Sequence, residues 1–219
     1  MDKIVPFWKP VGLTSFDVVR RVKSKVKPSK VGHAGTLDPF AEGILILCIG
    51  KMTRKVESLM DLKKEYIATI KLGETTDTLD TEGKITETSD IPKLSRNEIE
   101  SILSSFIGEI EQIPPMYSAL KKDGVPLYKL ARKGIVVERK PRLINIYEIE
   151  LLSETNEDSI SIRVVCGRGT YIRTLADDIA KKIGTVGYLT SLTRTKIGNY
   201  CENNAIKLED IPRWLSSVA

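Results

Sequence analysis

The chain has 219 residues, 41% of them hydrophobic, so it can bury a core of its own, and its length suggests a single domain. The formal net charge of +5 is compatible with a polyanionic partner but does not by itself indicate one. The three cysteines are widely spaced and there is one histidine, which excludes the usual spacings of zinc ligands. The longest apolar run, 44–49, is too short for a membrane-spanning helix. We therefore expect a cytoplasmic protein with reduced thiols.

The spacing of the hydrophobic residues predicts an α+β chain. In chain order we expect a helix at 14–26, a strand at 66–72, helices at 95–106 and 126–133, strands at 143–151 and 159–166, and a helix at 170–183. Because the last two strands follow each other without a helix between them, the sheet should be largely antiparallel.

Local signals mark several ends and connections of these elements. Ser95 and Glu98 form a capping box, and the last helix has Thr170 as its expected N-cap and Gly184 as its stop. The polar, threonine-rich segment 77–92 predicts a long exposed connection, and the carboxylates of 77–83, which lack the calcium-loop pattern, predict a solvated turn. In residues 50–53, Met52 stands where a phosphate-binding P-loop has serine or threonine, and the earlier glycine of that motif is misplaced, so the segment is interpreted as a strand end leading into a helix.

The most informative segment is 32–43, with the sequence Gly-His-Ala-Gly-Thr-Leu-Asp-Pro-Phe-Ala-Glu-Gly. Its glycines and the Asp38-Pro39 pair predict a rigid, non-repetitive loop that presents the carboxylate of Asp38. An aspartate before a proline often does no more than stabilise a turn, which is the alternative interpretation. The whole segment resembles the active-site loop of the tRNA pseudouridine synthase B family, whose pattern G-H-A-G-T-L-D-P-x-A-x-G it matches at every fixed position.

Further motifs of that family occur in the same order, from the first motif to about residue 210. They are Lys9-Pro10-Val11-Gly12 with Thr14-Ser15, Lys64-Glu65-Tyr66, Pro115-Met116-Tyr117-Ser118-Ala119, Leu127-Tyr128, Gly169-Thr170-Tyr171-Ile172-Arg173 and Leu192-Thr193-Arg194-Thr195. Several short motifs in the correct order are far more specific than any one of them.

The resemblance implies an enzyme that isomerises uridine 55, in the T-loop of tRNA, to pseudouridine after flipping the base. It also implies the family's fold, a mixed, largely antiparallel sheet with helices on its flanks and a central active-site cleft. The reaction breaks a C–N bond and forms a C–C bond without redox change, so it requires a nucleophile or an electrostatic stabiliser but no cofactor and no metal. The expected partner is the T-stem and loop of tRNA, with no membrane and no protein partner, and the protein is expected to be a monomer.

Three residues are expected to carry the chemistry. Asp38 either attacks the ribose or the base covalently or assists bond cleavage and proton removal, and the residue types leave these routes open. Burial disfavours a charged carboxylate, so Asp38 requires a positively charged partner, and the resemblance implies that this partner is Arg173. The alternative is that Arg173 is a solvated surface residue. The resemblance also implies that Tyr66 stacks on the uracil and takes part in proton transfer, whereas an aromatic residue at a strand start usually only packs.

Three further residues match substrate-binding positions of the family. Tyr171 and Leu192 match residues that line the uracil pocket, although packing at a helix start and a place in the core are the alternatives. His33 matches the residue that fills the space left in the T-loop when bases flip out, and its alternative is a loop histidine satisfied by local hydrogen bonds.

The expected organisation is a single catalytic domain over residues 1–219 with a mobile, RNA-clamping insertion around 114–142. The basic pairs at 121–122, 132–133 and 139–140 favour phosphate contacts over a merely solvated face. Family members usually carry a C-terminal RNA-binding (PUA) domain, which we do not expect in this chain. Two other functions remain open: a guide-dependent synthase like the catalytic subunit of the box H/ACA particle, and a noncatalytic tRNA-folding module.

Overall fold

The computed structural model describes residues 1–154 and 158–218. In chain order, its strands are β1 Lys3–Lys9, β2 Val31–His33, β3 Glu42–Ile49, β4 Lys64–Leu72, β5 Glu74–Thr76, β6 Ile85–Thr88, β7 Gly108–Gln112, β8 Lys121–Lys122, β9 Val125–Pro126, β10 Arg142–Glu154, β11 Ser159–Cys166, β12 Gly187–Ile197 and β13 Tyr200–Cys201. Its α-helices are α1 Ser15–Lys25, α2 Val56–Met60, α3 Arg96–Ser104, α4 Leu127–Ala131, α5 Ile172–Ile183 and α6 Ile211–Val218.

The predicted elements are all present. The expected helices correspond to α1, α3, α4 and α5, and the expected strands correspond to β4, β10 and β11. Residues 50–53 open a 3-10 helix that connects the end of β3 to α2, as predicted. Antiparallel pairs predominate and β12 pairs with β3 in parallel, so the prediction of an α+β chain with a mixed, largely antiparallel sheet is confirmed.

The chain divides into two compact units, the first formed by Met1–Ile67 together with the chain from Ser191 onward, and the second by Ala68–Thr190. Strands β4 and β12 each contribute residues to both units. Across the described ranges, no helix is long and apolar enough to cross a membrane.

The first unit is built on β3, whose apolar run is buried on both faces. The side chains of Leu45, Leu47 and Ile49 pack in one core cluster with α1 and α6, while Ile44 and Ile46 pack in a second cluster with α2. A strand covered on both sides reads as a continuous hydrophobic run rather than an alternating one. For that reason, the period-two pattern that identifies β4 and β11 does not identify β3.

Helix α1 begins at a capping box that the sequence contains. The Thr14 hydroxyl accepts a hydrogen bond from the Asp17 amide at 3.1 Å, and the Asp17 carboxylate accepts one from the Thr14 amide at 3.0 Å. Two otherwise unpaired amides at the helix start are therefore satisfied locally. The expected capping box of α3, between Ser95 and Glu98, is also present.

The second unit contains the antiparallel strands β11, β10 and β7, with α3 and α5 packed beside them. Helix α5 buries an apolar stripe that includes Ile172, Leu175, Ile179 and Ile183. It ends at the predicted stop, Gly184, whose φ of 99° is the left-handed conformation that glycine adopts without strain. The expected N-cap, Thr170, is wrong. The α5 cap is Tyr171, and its main chain is satisfied by the side chain of buried Gln112, which accepts from the Tyr171 amide at 2.8 Å and donates to its carbonyl at 3.1 Å.

The prediction of an exposed connection at 77–92 is wrong at Thr78 and Asp80, which are buried. Strands β5 and β6 form an antiparallel hairpin, and the turn between them carries Asp80, which is 3% exposed. Its carboxylate accepts hydrogen bonds from the Thr78 hydroxyl at 2.6 Å and from the Glu82 amide at 3.0 Å. The turn also pairs with β12, where the Leu189 amide donates to the Leu79 carbonyl at 3.1 Å. The predicted solvated turn therefore buries Thr78 and Asp80, while Asp77, Thr81 and Glu82 are exposed as predicted. Strand β6 is also exposed.

Candidate active site

Asp38 lies in the loop between β2 and β3, residues 34–41, which we call the Asp38 loop. The apolar side chains of Leu37, Phe40 and Ala41 are buried and hold the loop against the first unit, while Asp38 itself is half-buried. The Ala34 amide donates to the Ile46 carbonyl at 2.9 Å. The loop is thus an ordered part of the first unit, as the motif predicts.

Ser15, at the start of α1, holds the middle of the Asp38 loop. Its hydroxyl accepts a hydrogen bond from the Leu37 amide at 2.9 Å and donates to the Leu37 carbonyl at 3.1 Å. The main chain of the residue directly before Asp38 is therefore bound at both of its polar groups. The Gly12 amide donates to the Pro39 carbonyl at 2.8 Å, so the residue directly after Asp38 is bound as well.

Lys9, at the end of β1, is completely buried, which is rare for a lysine. Its ammonium group donates to the carbonyl oxygens of Leu13 at 2.7 Å, Pro39 at 3.4 Å and Ala41 at 2.5 Å. A buried ammonium needs polar partners to offset its lost hydration, and the main chain around the loop supplies them. Lys9 therefore ties the end of the Asp38 loop to the segment that leads into α1.

Arg194, on β12, is buried at 1% exposure and faces the other end of the same loop. Its Nε donates to the Ile44 carbonyl at 2.8 Å, Nη1 to the Thr36 carbonyl at 3.2 Å, and Nη2 to the Gly35 carbonyl at 3.2 Å. The planar guanidinium has divergent donors that can bind three carbonyls at once. It connects the residues that precede Asp38 to the strand that follows the loop.

Gly43 allows β12 to approach β3 at this point. It has a φ of 118°, and a Cβ atom built there would lie 2.3 Å from the carbonyl oxygen of Arg194. Any other residue would therefore clash with the β12 main chain and strain its own backbone. The last glycine of the loop motif is required for the position of Arg194.

His33 lies at the end of β2 and is half-buried. Burial lowers the pKa of its imidazole below the ordinary value, and the positive charge of Arg194 lowers that pKa further, while a backbone hydrogen bond with Gly35 acts in the opposite direction. The net lowering favours the neutral imidazole at neutral pH.

The other two predicted residues of the first unit are buried in strands. Tyr66 lies on β4 at 8% exposure, and Leu192 lies on β12 at 5% exposure. Burial fits the packing alternatives and the substrate-binding roles equally well, because a pocket wall is also part of a core. The roles of Tyr66 and Leu192 therefore remain predictions.

The second unit carries Tyr171 and Arg173 at the start of α5. Arg173 is 4% exposed, so the surface-arginine alternative is wrong. Its Nη1 lies 3.5 Å from the Asp80 carboxylate and donates to the Thr78 carbonyl at 2.8 Å, while Nη2 donates to the Tyr117 carbonyl at 2.7 Å. The guanidinium is thus held by the β5–β6 turn and by the start of the segment 114–142. Neither contact was predicted from the sequence.

The segment 114–142 contains β8, β9 and α4, and most of its basic side chains are exposed. The exposed members are Lys121, Lys122, Lys129, Arg132, Lys133, Lys140 and Arg142. Arg139 is half-buried, and its Nη1 donates to the Pro114 carbonyl at 3.2 Å, which connects the end of the segment to its beginning. The exposed cations are available to an anionic partner.

Neither metal nor disulfide chemistry is indicated for the described residues. Within 1–154 and 158–218, no group of three or more His, Cys, Asp or Glu side chains is arranged to hold a metal ion. Cys48, Cys166 and Cys201 are free thiols, as expected, and burial raises the pKa of the Cys48 thiol to about 11. A thiol with so high a pKa is a poor nucleophile at neutral pH.

The structure therefore places His33, Asp38, Tyr66 and Leu192 in the first unit, and Tyr171 and Arg173 in the second. Sequence reasoning did not identify the support that Lys9, Arg194 and Asp80 provide. Lys9 and Arg194 stand inside motifs that match the family, which is the signal that could have singled them out. Asp80 stands in a polar segment that looks like an ordinary exposed turn.

Comparisons with known proteins agree with these observations. The model of the TruB family pseudouridylate synthase (N terminal domain) matches residues 23–172, and that of the tRNA pseudouridylate synthase B C-terminal domain matches residues 173–217. The tRNA pseudouridine synthase B of Clostridium acetobutylicum is 51% identical over 211 residues, covering 96% of this chain and 72% of the relative. That of Francisella philomiragia is 50% identical over 212 residues, covering 96% of this chain and 70% of the relative.

Among solved structures, a chain of a Cbf5-Nop10-Gar1 complex resembles this one with a TM-score of 0.74 at 30% identity. The match covers 96% of this chain and 54% of that chain, so this protein spans about half the length of its structural relative. The shared architecture is the pseudouridine synthase fold. With family models that together match residues 23–217 and relatives about half identical over almost its full length, the chain belongs to the TruB family of pseudouridylate synthases.

Proposed function

We propose that this protein is a tRNA pseudouridine synthase that isomerises uridine 55, in the T-loop, to pseudouridine, with Asp38 as the catalytic nucleophile. The observation that carries the proposal is the Asp38 loop, which presents a half-buried carboxylate on a main chain held by Lys9, Ser15 and Arg194. Fixing the main chain on both sides of a reacting group preorganises it for attack. The names of the curated relatives support tRNA as the substrate.

The proposed reaction exchanges one bond of the nucleoside for another. The glycosidic bond between the ribose and N1 breaks, the uracil rotates, and a C–C bond forms between the ribose and C5 of the base. C5 then loses its proton, and N1, which no longer carries the ribose, gains one. The substrate and the product have the same composition, so neither an oxidant nor a cofactor takes part. Asp38 acts on the ribose or on the base, and both routes use the same carboxylate.

The remaining predicted residues have supporting roles in this proposal. Arg173 supplies a positive charge that favours the ionised Asp38 carboxylate, and its burial and its fixed partners suit a guanidinium that must hold one orientation. Tyr66 stacks on the flipped uracil and takes part in proton transfer, while Tyr171 and Leu192 line the uracil pocket. His33, favoured in its neutral form, fills the space that the flipped bases leave in the T-loop.

RNA binding in this proposal depends on charge. The exposed cations of 114–142 contact phosphates of the T-stem, and the hydrogen bond from Arg173 to the Tyr117 carbonyl anchors the start of this segment within the second unit. The protein acts in the cytoplasm as a monomer, without a protein partner.

The direct test uses an unmodified T-arm hairpin transcript that carries tritium at C5 of its uridines. Wild-type protein should release one equivalent of tritium per hairpin without any guide RNA, because formation of the C–C bond displaces the C5 proton. A hairpin with cytidine at the target position is the control and should release none. Activity that appears only when a guide RNA is added would support the guide-dependent alternative, and release that stays at background with every substrate would support the noncatalytic one.

Replacement of Tyr66 separates stacking from proton transfer. We expect Tyr66→Phe to bind the T-arm hairpin as wild type does and to lose at least about tenfold in single-turnover rate, because the ring remains and the hydroxyl is gone. Tyr66→Ala should lose both affinity and rate, since stacking on an aromatic ring contributes about 1–3 kcal/mol per base. Equal rates for Tyr66→Phe and wild type would show that the hydroxyl has no part in the chemistry. Tyr147→Phe, a half-exposed tyrosine of the second unit, is the control.

A further inference from the structure

We propose that Arg194 is a positioning residue that sets the geometry of the Asp38 loop, an inference that rests on the proposed function. This role requires no contact between Arg194 and the substrate. The side chain acts through the main chain of the loop, and its effect on the reaction is exerted through the carboxylate of Asp38.

The contacts of Arg194 bracket the reacting residue. Its guanidinium binds the carbonyls of Gly35 and Thr36, three and two residues before Asp38, and also the carbonyl of Ile44, where β3 has begun. One rigid group thus fixes the distance between the start of the loop and the strand that follows it. Ser15 and Lys9 bind the main chain between these two points, at Leu37, Pro39 and Ala41.

The chemistry of the side chain indicates more than core filling. A guanidinium at 1% exposure has lost nearly all of its hydration, and the three acceptors that it binds are neutral carbonyl dipoles that do not neutralise its charge. An apolar side chain of similar volume would fill the same space without this desolvation cost. An apolar side chain would lack the three divergent donors with which Arg194 holds Gly35 and Thr36 at a fixed distance from Ile44.

The main chain at Arg194 is fixed by close packing against β3. The β12 main chain pairs in parallel with β3 at Gly43, where the lack of a Cβ permits the close approach described above. Because β12 is paired with β3 at this residue, the guanidinium of Arg194 extends to the loop from a main chain that is held in place. A small displacement of a reacting group costs about a hundredfold in rate, so such rigidity has a direct effect on catalysis.

The variants that test this inference are Arg194→Lys and Arg194→Gln. Lysine keeps the charge but presents its donors from a single nitrogen, so it cannot reproduce the three separated nitrogens with which the guanidinium binds the carbonyls of Gly35, Thr36 and Ile44. Glutamine keeps a planar donor group without the charge and has one donor nitrogen instead of three. Both are compared with wild type on the T-arm hairpin for kcat, KM and hairpin affinity. Arg96→Lys is the matched control, because Arg96 also donates to a main-chain carbonyl, that of Leu151 at 3.0 Å, on an element that does not hold the loop.

A second readout does not depend on activity. We expect the amides of Ala34, Leu37 and Ala41, all hydrogen-bonded in the structure, to exchange with solvent at least about tenfold faster in Arg194→Lys than in wild type. Amides in α5 should keep their wild-type exchange rates. A residue that merely filled the core would change protection throughout the first unit.

The expected result is a fall of at least about tenfold in kcat for both variants, with KM and hairpin affinity within about threefold of wild type. A wild-type kcat, a loss confined to KM, unchanged exchange of the loop amides, or failure of both variants to fold would each overturn the inference. Wild-type protein that releases no tritium would instead contradict the proposed function, and the exchange rates would still decide whether Arg194 holds the loop.

Discussion

Asp38→Asn is expected to abolish turnover, lowering the single-turnover rate of pseudouridine formation by at least about a thousandfold. The amide has nearly the same size as the carboxylate but is neither a nucleophile nor a base. Lys9, Ser15 and Arg194 bind the main chain of the loop, so these contacts should survive the substitution. Affinity for the T-arm hairpin should stay within a few-fold of wild type, since the lost group acts in the transition state rather than in binding.

The measurement is tritium release under single-turnover conditions, together with hairpin binding by filter retention. Asp90→Asn is the control, because Asp90 is an exposed aspartate of the second unit and its replacement should change neither quantity. Formation of pseudouridine by Asp38→Asn at the wild-type rate would exclude Asp38 as the reacting group. A large loss of hairpin affinity would show instead that the carboxylate contributes to RNA binding.

Arg173→Lys is the second substitution with a large expected effect, a fall in rate of at least about a hundredfold. A lysine ammonium cannot reproduce the planar set of donors that bind the carbonyls of Thr78 and Tyr117 beside the Asp80 carboxylate. The substitution should also lower the free energy of unfolding by about 2–3 kcal/mol, because it weakens a buried ion pair and leaves buried carbonyls with poorer partners.

Urea denaturation measures the loss of stability, and single-turnover assays measure the loss of rate. The assays are run at urea concentrations and temperatures at which the variant is fully folded, so that unfolding does not contribute to the lost rate. Arg163→Lys is the matched control, since Arg163 of β11 pairs at the surface with Glu148 and Glu150 and should be replaceable at a cost below about 1 kcal/mol. Asp80→Asn removes the buried Asp80 carboxylate beside Arg173, so it should lower the free energy of unfolding by about 3–5 kcal/mol while lowering the rate less than Arg173→Lys does. Near-normal turnover of Arg173→Lys would contradict a close electrostatic role for Arg173 at the reacting carboxylate.

Much of the fold could be predicted because the relevant physics is local. The capping box of Ser95 and Glu98 joins residues three apart, and the alternating pattern of β11 describes a strand with one buried face. The Asp38 loop was recognisable for a similar reason, because its glycines permit backbone angles closed to other residues and its proline restricts the residue before it. Such signals do not depend on what the distant parts of the chain do.

The two incorrect predictions, the cap of α5 and the solvation of Asp80, concern polar groups whose partners lie far away in the sequence. Thr170 is not the cap of α5, because Gln112 bonds the main chain of Tyr171 from 59 residues away. Asp80 is buried rather than solvated, because Arg173 lies beside it. A charged residue in a polar segment is normally exposed, and only a partner brought by the tertiary fold offsets the cost of its burial.

The sequence by itself determined helices α1, α3, α4 and α5, the alternating strands β4, β10 and β11, and the loop that carries Asp38, since each follows from the properties of neighbouring residues. The tertiary structure decided how that loop is held and which charges are buried. Arg194 reaches the carbonyl of Ile44 across 150 residues, and Arg173 reaches that of Thr78 across 95. Desolvation of a cation and its compensation by distant carbonyls depend on the three-dimensional arrangement, and no local pattern of residues encodes them.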